Sequence, residues 1–402
     1  MKTWIGYFLI TVLIGLLFSC DKKGPEDLWV NRPGGDPSPV IKSISPTDRA
    51  GAGALDIVVQ GENFNPVMTQ NSVFFDNVRA DILSGNRTEL KVMRPNLTGD
   101  SISVQVAVQN AAEIGRYYPY AIDDVTGVFG LILPGTKLSA MAADAEGSVY
   151  VVFGMESVIR KFLPDGSATD YATYSGISSS SRICMRMGPD GFLYLLPEKK
   201  RNLYGVSRGG GEMIKMASPS FIDIVNCFDF DQNGNIYAGG ARKSINLARP
   251  DDSAAQVADY SSFTVRALRV FQNYLYILAE NTSQDSMAVT GVYRHEITSA
   301  DGSLGPAERI LAWGDAGEFA GSAFADLTFS ADGDMLIATD NVNPILLVSS
   351  SGEQRPLYKE ILTSTAEEFV WTGTRLYQRL GGSNNGLMWI AMGKAGAPYY
   401  GR

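Results

Sequence analysis

Five charged residues stand at matching positions of a recurring strand and form the group best suited to chemistry or ligand binding. They are Arg186, Asp229, Arg269, Asp326 and Glu368. When the strands are aligned on the turns that follow them, the first three share one position and the last two stand two residues earlier. Side chains two residues apart lie on the same face of a strand, and the intervening residues are apolar. The pattern therefore predicts that two arginines and three carboxylates face one central funnel.

Such a group has two interpretations. In the first, the charges pair with one another and only stabilise a buried ring, because structural ion pairs also concentrate charge. In the second, the five residues bind a ligand in this funnel, or Asp229, Asp326 and Glu368 supply oxygen ligands to a metal ion there. We predict no catalytic residue and no metal site, and keep these three carboxylates as the alternative metal ligands.

A second pattern, Asp229-x-Asp231-x-Asn233-Gly234, matches the first half of a calcium-binding loop. Such a loop needs a bidentate glutamate at its twelfth position, where this chain has Gly240. The same turn recurs elsewhere in the chain without these carboxylates, which indicates an ordinary hairpin turn. We therefore predict no cofactor, with calcium as the alternative.

The single histidine, His295, restricts the possible chemistry further. It stands beside Glu296 in a predicted strand, which is typical of a partly exposed structural residue, and a metal cage made only of histidines is impossible. The sequence also lacks a G-x-S-x-G motif, a P-loop, a G-x-G-x-x-G fingerprint and a C-x-x-C pair. The usual sequence signals of nucleophilic catalysis and phosphate binding are therefore missing.

The element that positions these residues is a repeated hairpin. Its clearest copy runs from Phe228 to Tyr237 and contains an alternating strand, the tight turn Asn233-Gly234 and the start of a second strand. Six copies end on an aromatic residue or a leucine, at intervals of roughly 40 residues with one of about 60. These final residues are Tyr150, Tyr194, Tyr237, Tyr276, Leu336 and Tyr377. Strand repeats of this length predict a six-bladed β-propeller over residues 125–402.

The copies at 144–150 and 231–237 resemble the blade motifs of NHL-type six-bladed propellers. The last copy is one strand short, whereas an additional strand from Val128 to Leu133 precedes the first copy. We therefore predict that both ends of this region complete one blade and close the ring. The funnel carboxylates are similar to the metal centre of gluconolactonase-like propellers, and this resemblance implies a metal-dependent hydrolase or lyase as an alternative function.

A different pattern occupies residues 39–122, where seven short alternating segments predict an Ig-like β-sandwich. One of these predicted strands runs from Arg79 to Leu83. The segments Ile44-Ser45-Pro46-Thr47 and Ser72-Val73-Phe74-Phe75 resemble the IPT/TIG family. The chain is thus predicted to be all-β, and the resemblance implies a spacer or an accessory binding module without catalytic residues.

The N-terminus combines Lys2 with an apolar stretch that is shorter than the ~20 residues of a membrane-spanning helix. This indicates a signal peptide over residues 1–19. Leu17-Phe18-Ser19-Cys20 resembles a bacterial lipobox, which implies lipidation of Cys20. Residues 20–38, rich in glycine and proline, predict a flexible tether. An uncleaved N-terminal anchor is the alternative.

Two further sets of residues carry predictions. Cys184 and Cys227 stand at equivalent positions of neighbouring blades, and we expect two buried thiols because that separation is large for a disulfide. Aromatic side chains offer flat surfaces to sugar rings, although most large aromatics pack in cores. The aromatic candidates are Tyr117, Tyr118, Tyr120, Trp313, Trp371, Trp389, Tyr399 and Tyr400.

Composition narrows the choice of partners. The chain has 402 residues, 45% of them hydrophobic, and a net charge of −9 without a basic cluster, which argues against a nucleic-acid partner. We predict a lipid-anchored protein of the bacterial cell envelope, on the surface or the periplasmic face of the outer membrane. Its propeller is expected to bind a glycan or a partner protein without catalysis. A lactonase-like enzyme acting at the funnel is the first alternative, and an envelope scaffold is the second.

Overall fold

A computed structural model describes residues 35–133, 135–175, 182–198, 200–283, 285–381 and 386–400. The predicted signal peptide, Cys20 and most of the predicted tether lie outside the described residues. Within the described ranges, no helix has the length and apolar character needed to cross a bilayer. The helices there are the short 3₁₀ turns Met68–Gln70, Trp313–Asp315 and Gly317–Phe319.

The first part of the chain is an Ig-like sandwich of two sheets, as predicted. One sheet has the spatial order β1 (Val40–Ser45), β3 (Asp56–Glu62), β7 (Glu89–Met93) and β6 (Ile82–Gly85). The other has the order β2 (Arg49–Ala50), β9 (Gly115–Ile122), β8 (Gly99–Val108), β4 (Asn71–Phe75) and β5 (Val78–Ala80). Alternating apolar side chains from both sheets pack into one core that includes Phe64, Phe75 and Tyr120.

The sandwich has nine strands where the sequence pattern predicted seven. The single strand expected from Arg79 to Leu83 was wrong, because β5 and β6 belong to different sheets and the chain crosses between them at Asp81. β2 was missed because its two residues are too short to show a periodic pattern.

The second part is a six-bladed propeller, which confirms the predicted fold class. Blade 1 contains β11 (Leu138–Ala143), β12 (Val149–Phe153), β13 (Val158–Phe162) and β14 (Ala168–Thr173). Blade 2 contains β15 (Ile183–Met187), β16 (Leu193–Pro197), β17 (Lys200–Val206) and β19 (Ile214–Val225), while β18 (Gly211–Glu212) pairs with β14 of blade 1. Blade 3 contains β20 (Cys227–Phe230), β21 (Ile236–Gly239), β22 (Ile245–Ala248) and β23 (Ala254–Ala258).

Three further blades complete the ring. Blade 4 contains β24 (Phe263–Phe271), β25 (Tyr274–Asn281), β26 (Gly291–Glu296) and β27 (Glu308–Ala312). Blade 5 contains β28 (Phe324–Phe329), β29 (Met335–Thr339), β30 (Ile345–Val348) and β31 (Gln354–Pro356). Blade 6 contains β32 (Ala366–Thr372), β33 (Arg375–Leu380), β34 (Leu387–Ala391) and β10 (Thr126–Val128). The first strand of each blade contacts the first strand of the next, and β32 contacts β11.

Both ends of the propeller region contribute to blade 6, which confirms the predicted ring closure. β10 pairs with β34, with Thr126 opposite Ile390 and Val128 opposite Met388. The predicted bounds of this strand, Val128 to Leu133, were wrong. β10 shares only Val128 with them, because Gly130 adopts a φ of 67° and turns the chain away from the sheet. Leu131 beyond that turn is 84% exposed.

The sandwich is fixed to blades 5 and 6 by polar contacts. The Asp56 carboxylate accepts two hydrogen bonds from the Arg355 guanidinium, at 2.8 and 3.1 Å. The Tyr358 hydroxyl accepts a hydrogen bond from the Gly53 amide at 2.7 Å and donates one to the Ala391 carbonyl at 2.6 Å. Because Asp56 and Gly53 belong to the sandwich, these contacts hold the two parts of the chain in one orientation.

The two cysteines of the propeller are buried free thiols, as predicted. The Cys184 Sγ lies 3.8 Å from the Phe228 carbonyl of the next blade, and the Cys227 Sγ lies 3.7 Å from the Gly239 carbonyl within its own blade. Burial raises the pKa of both thiols, so they stay protonated and behave as small apolar residues.

Candidate functional site

The five charged residues predicted to share a funnel all lie on the innermost strands and are all buried. Their exposed fractions are 8% for Arg186, 2% for Asp229, 6% for Arg269, 4% for Asp326 and 6% for Glu368. The structure thus brings them to the centre of the ring, where the repeat alignment placed them. Their role in ligand binding stays a prediction.

Asp229 is the centre of the first charge cluster. Its Oδ1 lies 4.0 Å from Arg186 Nε, and its Oδ2 lies 3.5 Å from Arg269 Nε. The same Oδ2 accepts a hydrogen bond from the Val270 amide of the next blade at 2.9 Å. The Arg269 guanidinium also stacks on the Tyr399 ring, 3.6 Å from its centroid. Asp229 therefore compensates two buried cations and joins blade 3 to blade 4.

Asp326 and Glu368 join blades in the same way. Asp326 Oδ2 accepts a hydrogen bond from the Phe369 amide of blade 6 at 2.9 Å, and Glu368 Oε2 accepts one from the Met141 amide of blade 1 at 3.1 Å. Burial raises the pKa of Glu368, while the Arg379 guanidinium, whose Nε lies 3.0 Å from Oε2, opposes that rise. Each carboxylate thus binds an amide of the following inner strand.

The space left around these charges is small. One cavity of about 20 Å³ is lined by Arg186, Asp229 and Arg269 together with Tyr399 and Tyr400. A second cavity of about 20 Å³, lined by Arg186, Asp326 and Glu368, adjoins the buried thiols. Volumes of this size hold about one water molecule, so neither cavity admits a sugar ring.

Each carboxylate that was considered as a metal ligand already accepts a hydrogen bond from a backbone amide through at least one oxygen. In the described part of the chain, no group of three His, Cys, Asp or Glu side chains is arranged to hold a metal ion. At the calcium-loop pattern, Asp231 Oδ1 accepts hydrogen bonds from the amides of Asn233 and Asn235 at 2.8 and 2.9 Å. Gly234 supplies the φ of 80° that this turn requires. The pattern thus forms a capped hairpin turn.

His295 is held in the core of blade 4. Its Nε2 lies 3.0 Å from the Tyr260 hydroxyl and its Nδ1 lies 2.8 Å from the Gly305 carbonyl. A neutral ring with its proton on Nδ1 satisfies both contacts, because Nδ1 then donates to the carbonyl and Nε2 accepts from the hydroxyl. Burial lowers the pKa of His295 below 6.5.

This burial predicts a pH dependence of stability. Because the pKa is lowered in the folded state, the unfolded chain takes up a proton first as the pH falls below 6.5. The free energy of unfolding should therefore fall below that pH, by at most about 1.4 kcal/mol per pH unit. Urea titrations at several pH values from 7 down to about 5 would measure the slope. His295→Phe should remove the contribution of this ring to the slope, since no other histidine is present, and leave only the contribution of buried carboxyl groups such as Glu368. An unchanged slope in that variant would contradict the prediction.

A larger open site lies on one face of the propeller, across blades 1 and 2. This rim groove has a volume of about 710 Å³ and extends from the turns after β11 and β15 to the last described residues of the chain. Its aromatic and charged lining residues are Tyr150, Tyr171, Tyr399, Tyr400, Asp144, Glu146, Lys161 and Arg208. Ligand sites usually have volumes of ~300–1,000 Å³, so the rim groove is large enough for a small ligand.

The blade 1 side of the rim groove is a fixed cluster of rings and charges. The rings of Tyr150 and Tyr171 meet edge to face, with centroids 4.8 Å apart. Lys161 Nζ lies 5.3 Å from the Tyr150 centroid and 3.4 Å from Asp144 Oδ2. Asp144 Oδ2 also accepts a hydrogen bond from the Tyr150 hydroxyl at 3.0 Å. Burial raises the pKa of Tyr150, with a further rise from Asp144, so its hydroxyl stays a donor.

The opposite side of the rim groove is more exposed. Arg208 Nη2 donates a hydrogen bond to the Asp190 carbonyl at 3.3 Å, and its guanidinium lies directly over Gly191, where a Cβ would come within 2.4 Å of Nε. Glu146 is exposed, and Tyr400 is 42% exposed. Two acidic and two basic side chains thus surround the aromatic surfaces, and the described lining contains no histidine, serine or cysteine.

Only two of the aromatic candidates from the sequence, Tyr399 and Tyr400, line the rim groove. Trp313, Trp371 and Tyr120 are buried in cores. Tyr118 is 66% exposed but belongs to the sandwich.

Four residues of the rim groove were not predicted as site residues from the sequence, namely Tyr150, Tyr171, Lys161 and Arg208. Tyr150 was recognised only as the aromatic residue that ends a repeat. In the structure its hydroxyl donates to Asp144 in the turn of that same repeat. The other three residues stand in outer strands or loops that carry no motif. Their convergence depends on how two neighbouring blades and the C-terminal segment pack, which local spacing does not reveal.

Comparisons with known proteins bear on the fold. Residues 39–122 match the IPT/TIG domain family. An auxiliary nutrient binding protein from Bacteroides ovatus is similar in structure with a TM-score of 0.51 at 14% identity, covering 88% of this chain and 98% of that one. A second auxiliary nutrient binding protein, from Bacteroides thetaiotaomicron, has a TM-score of 0.52 at 12% identity, covering 88% and 97%.

A protein described as a proposed gluconolactonase has a TM-score of 0.50 at 11% identity, covering 68% of this chain and 94% of its own. A search of curated protein sequences found no match. At identities this low, the structural similarity shows a shared fold alone. The chain therefore contains an IPT/TIG domain at residues 39–122 and shares an overall all-β, propeller-containing fold with these solved structures.

Proposed function

We propose that this protein is an extracytoplasmic binding protein that captures a glycan in the rim groove. The observation that carries the proposal is the contrast between the two sites of the propeller. The channel charges are buried, paired and left with cavities of about 20 Å³, whereas the rim groove offers about 710 Å³ to solvent.

The chemistry of the rim groove suits a sugar. Flat tyrosine rings pack against the apolar face of a pyranose ring, and carboxylate and ammonium groups exchange hydrogen bonds with its hydroxyls. Asp144 and Glu146 supply acceptors, while Lys161 and Arg208 supply donors. Because the acidic and basic side chains balance, an uncharged glycan binds without leaving an unpaired charge.

The structural comparisons support a binding role. Two of the similar structures are described as auxiliary nutrient binding proteins, and each covers most of this chain, including sandwich and propeller. In this proposal the sandwich positions the propeller and does not itself supply the ligand site. The assignment of the repeats to the NHL type is likewise a proposal, based on the sequence resemblance.

A membrane anchor completes the proposal. Lipidation at Cys20 would hold the chain at the outer membrane, with the tether and the sandwich placing the propeller away from the bilayer. Mass spectrometry of the protein from a bacterial host tests this point, since a diacylated N-terminal cysteine has a mass distinct from that of free Cys20. An N-terminus that retains residues 1–19 would contradict it.

Glycan binding is tested with residues 21–402, which include every described residue. A glycan array should identify a ligand, and calorimetry should then show that Tyr400→Ala weakens its binding about tenfold or more, because the ring surface is lost. Glu146→Ala should also weaken binding, through loss of a hydrogen-bond acceptor. Both side chains are exposed, so neither change should unfold the chain.

Tyr118→Ala is the matched control, because it removes an exposed tyrosine ring from the sandwich. Its affinity for the same glycan should equal that of the unaltered protein. If Tyr400→Ala and Tyr118→Ala bind equally, the rim groove is not the site. If no glycan binds at all, a partner protein or a scaffolding role becomes the better explanation.

A further inference from the structure

A second cavity lies between the sandwich and blade 5. This junction cleft has a volume of about 370 Å³ and takes its lining from both parts of the chain. Leu55, Leu83, Lys91, Met93 and Arg94 line it from the sandwich. Arg355, Pro356, Tyr358 and Lys359 line it from the propeller. Its volume falls within the ~300–1,000 Å³ range of small-molecule sites.

The two walls of the junction cleft are held at a fixed separation. Asp56 forms a bidentate ion pair with Arg355, and Lys91 Nζ lies 2.9 Å from Asp56 Oδ2. The Arg94 guanidinium lies 6.0 Å from the centroid of the Tyr358 ring. Because the Asp56–Arg355 and Arg94–Tyr358 contacts cross from the sandwich to the propeller, they fix the width of the cleft.

Positive charge exceeds negative charge inside the junction cleft. Its single interior carboxylate, Asp56, is already shared by Lys91 and Arg355. Arg94 is 4% exposed and donates to the Ala50 and Gly51 carbonyls, with no carboxylate within ion-pair distance in the described chain. It also donates to the Asp123 carbonyl, and its Nε has no hydrogen-bond partner among the described residues. None of these acceptors is a carboxylate, so no ion pair neutralises the guanidinium in that part of the chain.

Lys359 adds to this excess. It is half-buried, and no ion pair to it occurs among the described residues. The two remaining acids of the lining, Glu318 and Glu353, are exposed. An anion placed between Arg94 and Lys359 would therefore meet two cations that lack carboxylate partners.

One wall of the cleft is apolar. Leu83 is 43% exposed, and Leu55, Met93 and Pro356 are half-buried beside it. Burying these side chains against a ligand would stabilise the complex by roughly 25 cal/mol per Å² of apolar surface. The cleft thus combines an apolar wall with uncompensated positive charge.

We propose that the junction cleft binds a small amphiphilic anion, meaning an organic molecule with an apolar body and a single acidic head group. The head group pairs with Lys359 and Arg94, and the body lies against Leu83 and Met93. This site is separate from the rim groove, which blades 1 and 2 form, and it does not depend on the function proposed there.

Anilinonaphthalene sulfonate is a suitable probe, because it joins a flat apolar body to one anionic group and its fluorescence reports binding. Titration of residues 21–402 should show one saturable site. In Lys359→Glu the dissociation constant should rise about tenfold or more, since an attractive charge becomes a repulsive one. N-phenylnaphthylamine, which lacks the sulfonate, should bind more weakly and should not respond to this change.

Lys215→Glu is the matched control, because Lys215 is exposed on β19, outside the cleft, and the change alters net charge equally. Its dissociation constant for the sulfonate should equal that of the unaltered chain. Leu83 is exposed, so Leu83→Ser should not unfold the chain. It should weaken the binding of both probes, because the apolar contact is lost. Absence of a saturable site, or equal affinities in Lys359→Glu and Lys215→Glu, would overturn the proposal.

Discussion

Replacing residues 125–133 with a Gly-Ser linker of equal length is expected to lower the melting temperature of the chain by ~10–20 °C. The replacement removes β10 and therefore exposes the edge of β34 in blade 6. It also removes the buried side chains of Val125 and Phe129. Loss of a buried phenylalanine alone costs about 3–5 kcal/mol, and the Phe129 ring packs 4.5 Å from that of Tyr377.

The same segment supplies the control. Leu131 and Leu133 are 84% and 65% exposed, so the double change Leu131→Ser and Leu133→Ser should leave the melting temperature nearly unchanged. Thermal melting curves, recorded by circular dichroism, compare the two variants. If the linker variant has the same melting temperature as the unaltered protein, β10 does not hold the ring closed.

The second large effect is expected at Asp229. Asp229→Ala should lower the free energy of unfolding by about 3–5 kcal/mol, because it leaves the buried guanidinium groups of Arg186 and Arg269 without their carboxylate. The Val270 amide also loses its acceptor. Urea titration measures the change in the free energy of unfolding. The slope of that free energy against urea concentration should be the same in both proteins, which shows that unfolding exposes the same surface area.

An exposed ion pair is the appropriate comparison. Lys42 and Glu62 face each other across β1 and β3, with more than half of each side chain exposed, and Glu62→Ala should change stability by no more than ~0.5 kcal/mol. If Asp229→Ala lowers the free energy of unfolding no more than Glu62→Ala does, the Asp229 carboxylate is not part of a structural ring. Its position would then point back to a ligand-binding role for the channel charges.

The repeat shows why the fold could be predicted from the sequence. The Asp231 turn, the glycine at 234 and the final Tyr237 are all local, since the carboxylate caps the turn and accepts the tyrosine hydroxyl at 3.4 Å. The hairpin recurs in each blade, and in blades 1 to 3 a carboxylate of the turn accepts the hydroxyl of the tyrosine that follows it. The alignment of these turns also located Asp229 and Glu368 correctly on the inner strands.

The rim groove was not predictable by the same reasoning. Tyr171 and Arg208 come from different blades, and Tyr400 approaches from the end of the chain. Such a site depends on the separation and tilt of whole sheets. The junction cleft was not predictable from local spacing either, because the ion pair between Asp56 and Arg355 joins residues that are distant in sequence. The burial of His295 was not predicted either. Its strand indicated a partly exposed residue, whereas His295 is 5% exposed and both ring nitrogens are held by Tyr260 and Gly305.

The course of the chain after blade 6 affects how the protein can be labelled. Tyr399 packs under Arg269 in the channel, and its hydroxyl accepts a hydrogen bond from the Phe329 amide at 2.7 Å. Tyr400 then forms part of the rim groove. Any affinity tag or fluorescent fusion attached beyond Tyr400 would therefore begin beside the proposed ligand site and compete with a ligand for the same space. Labels for binding studies belong at the other end of the chain, before residue 35, where the sandwich separates them from the rim groove.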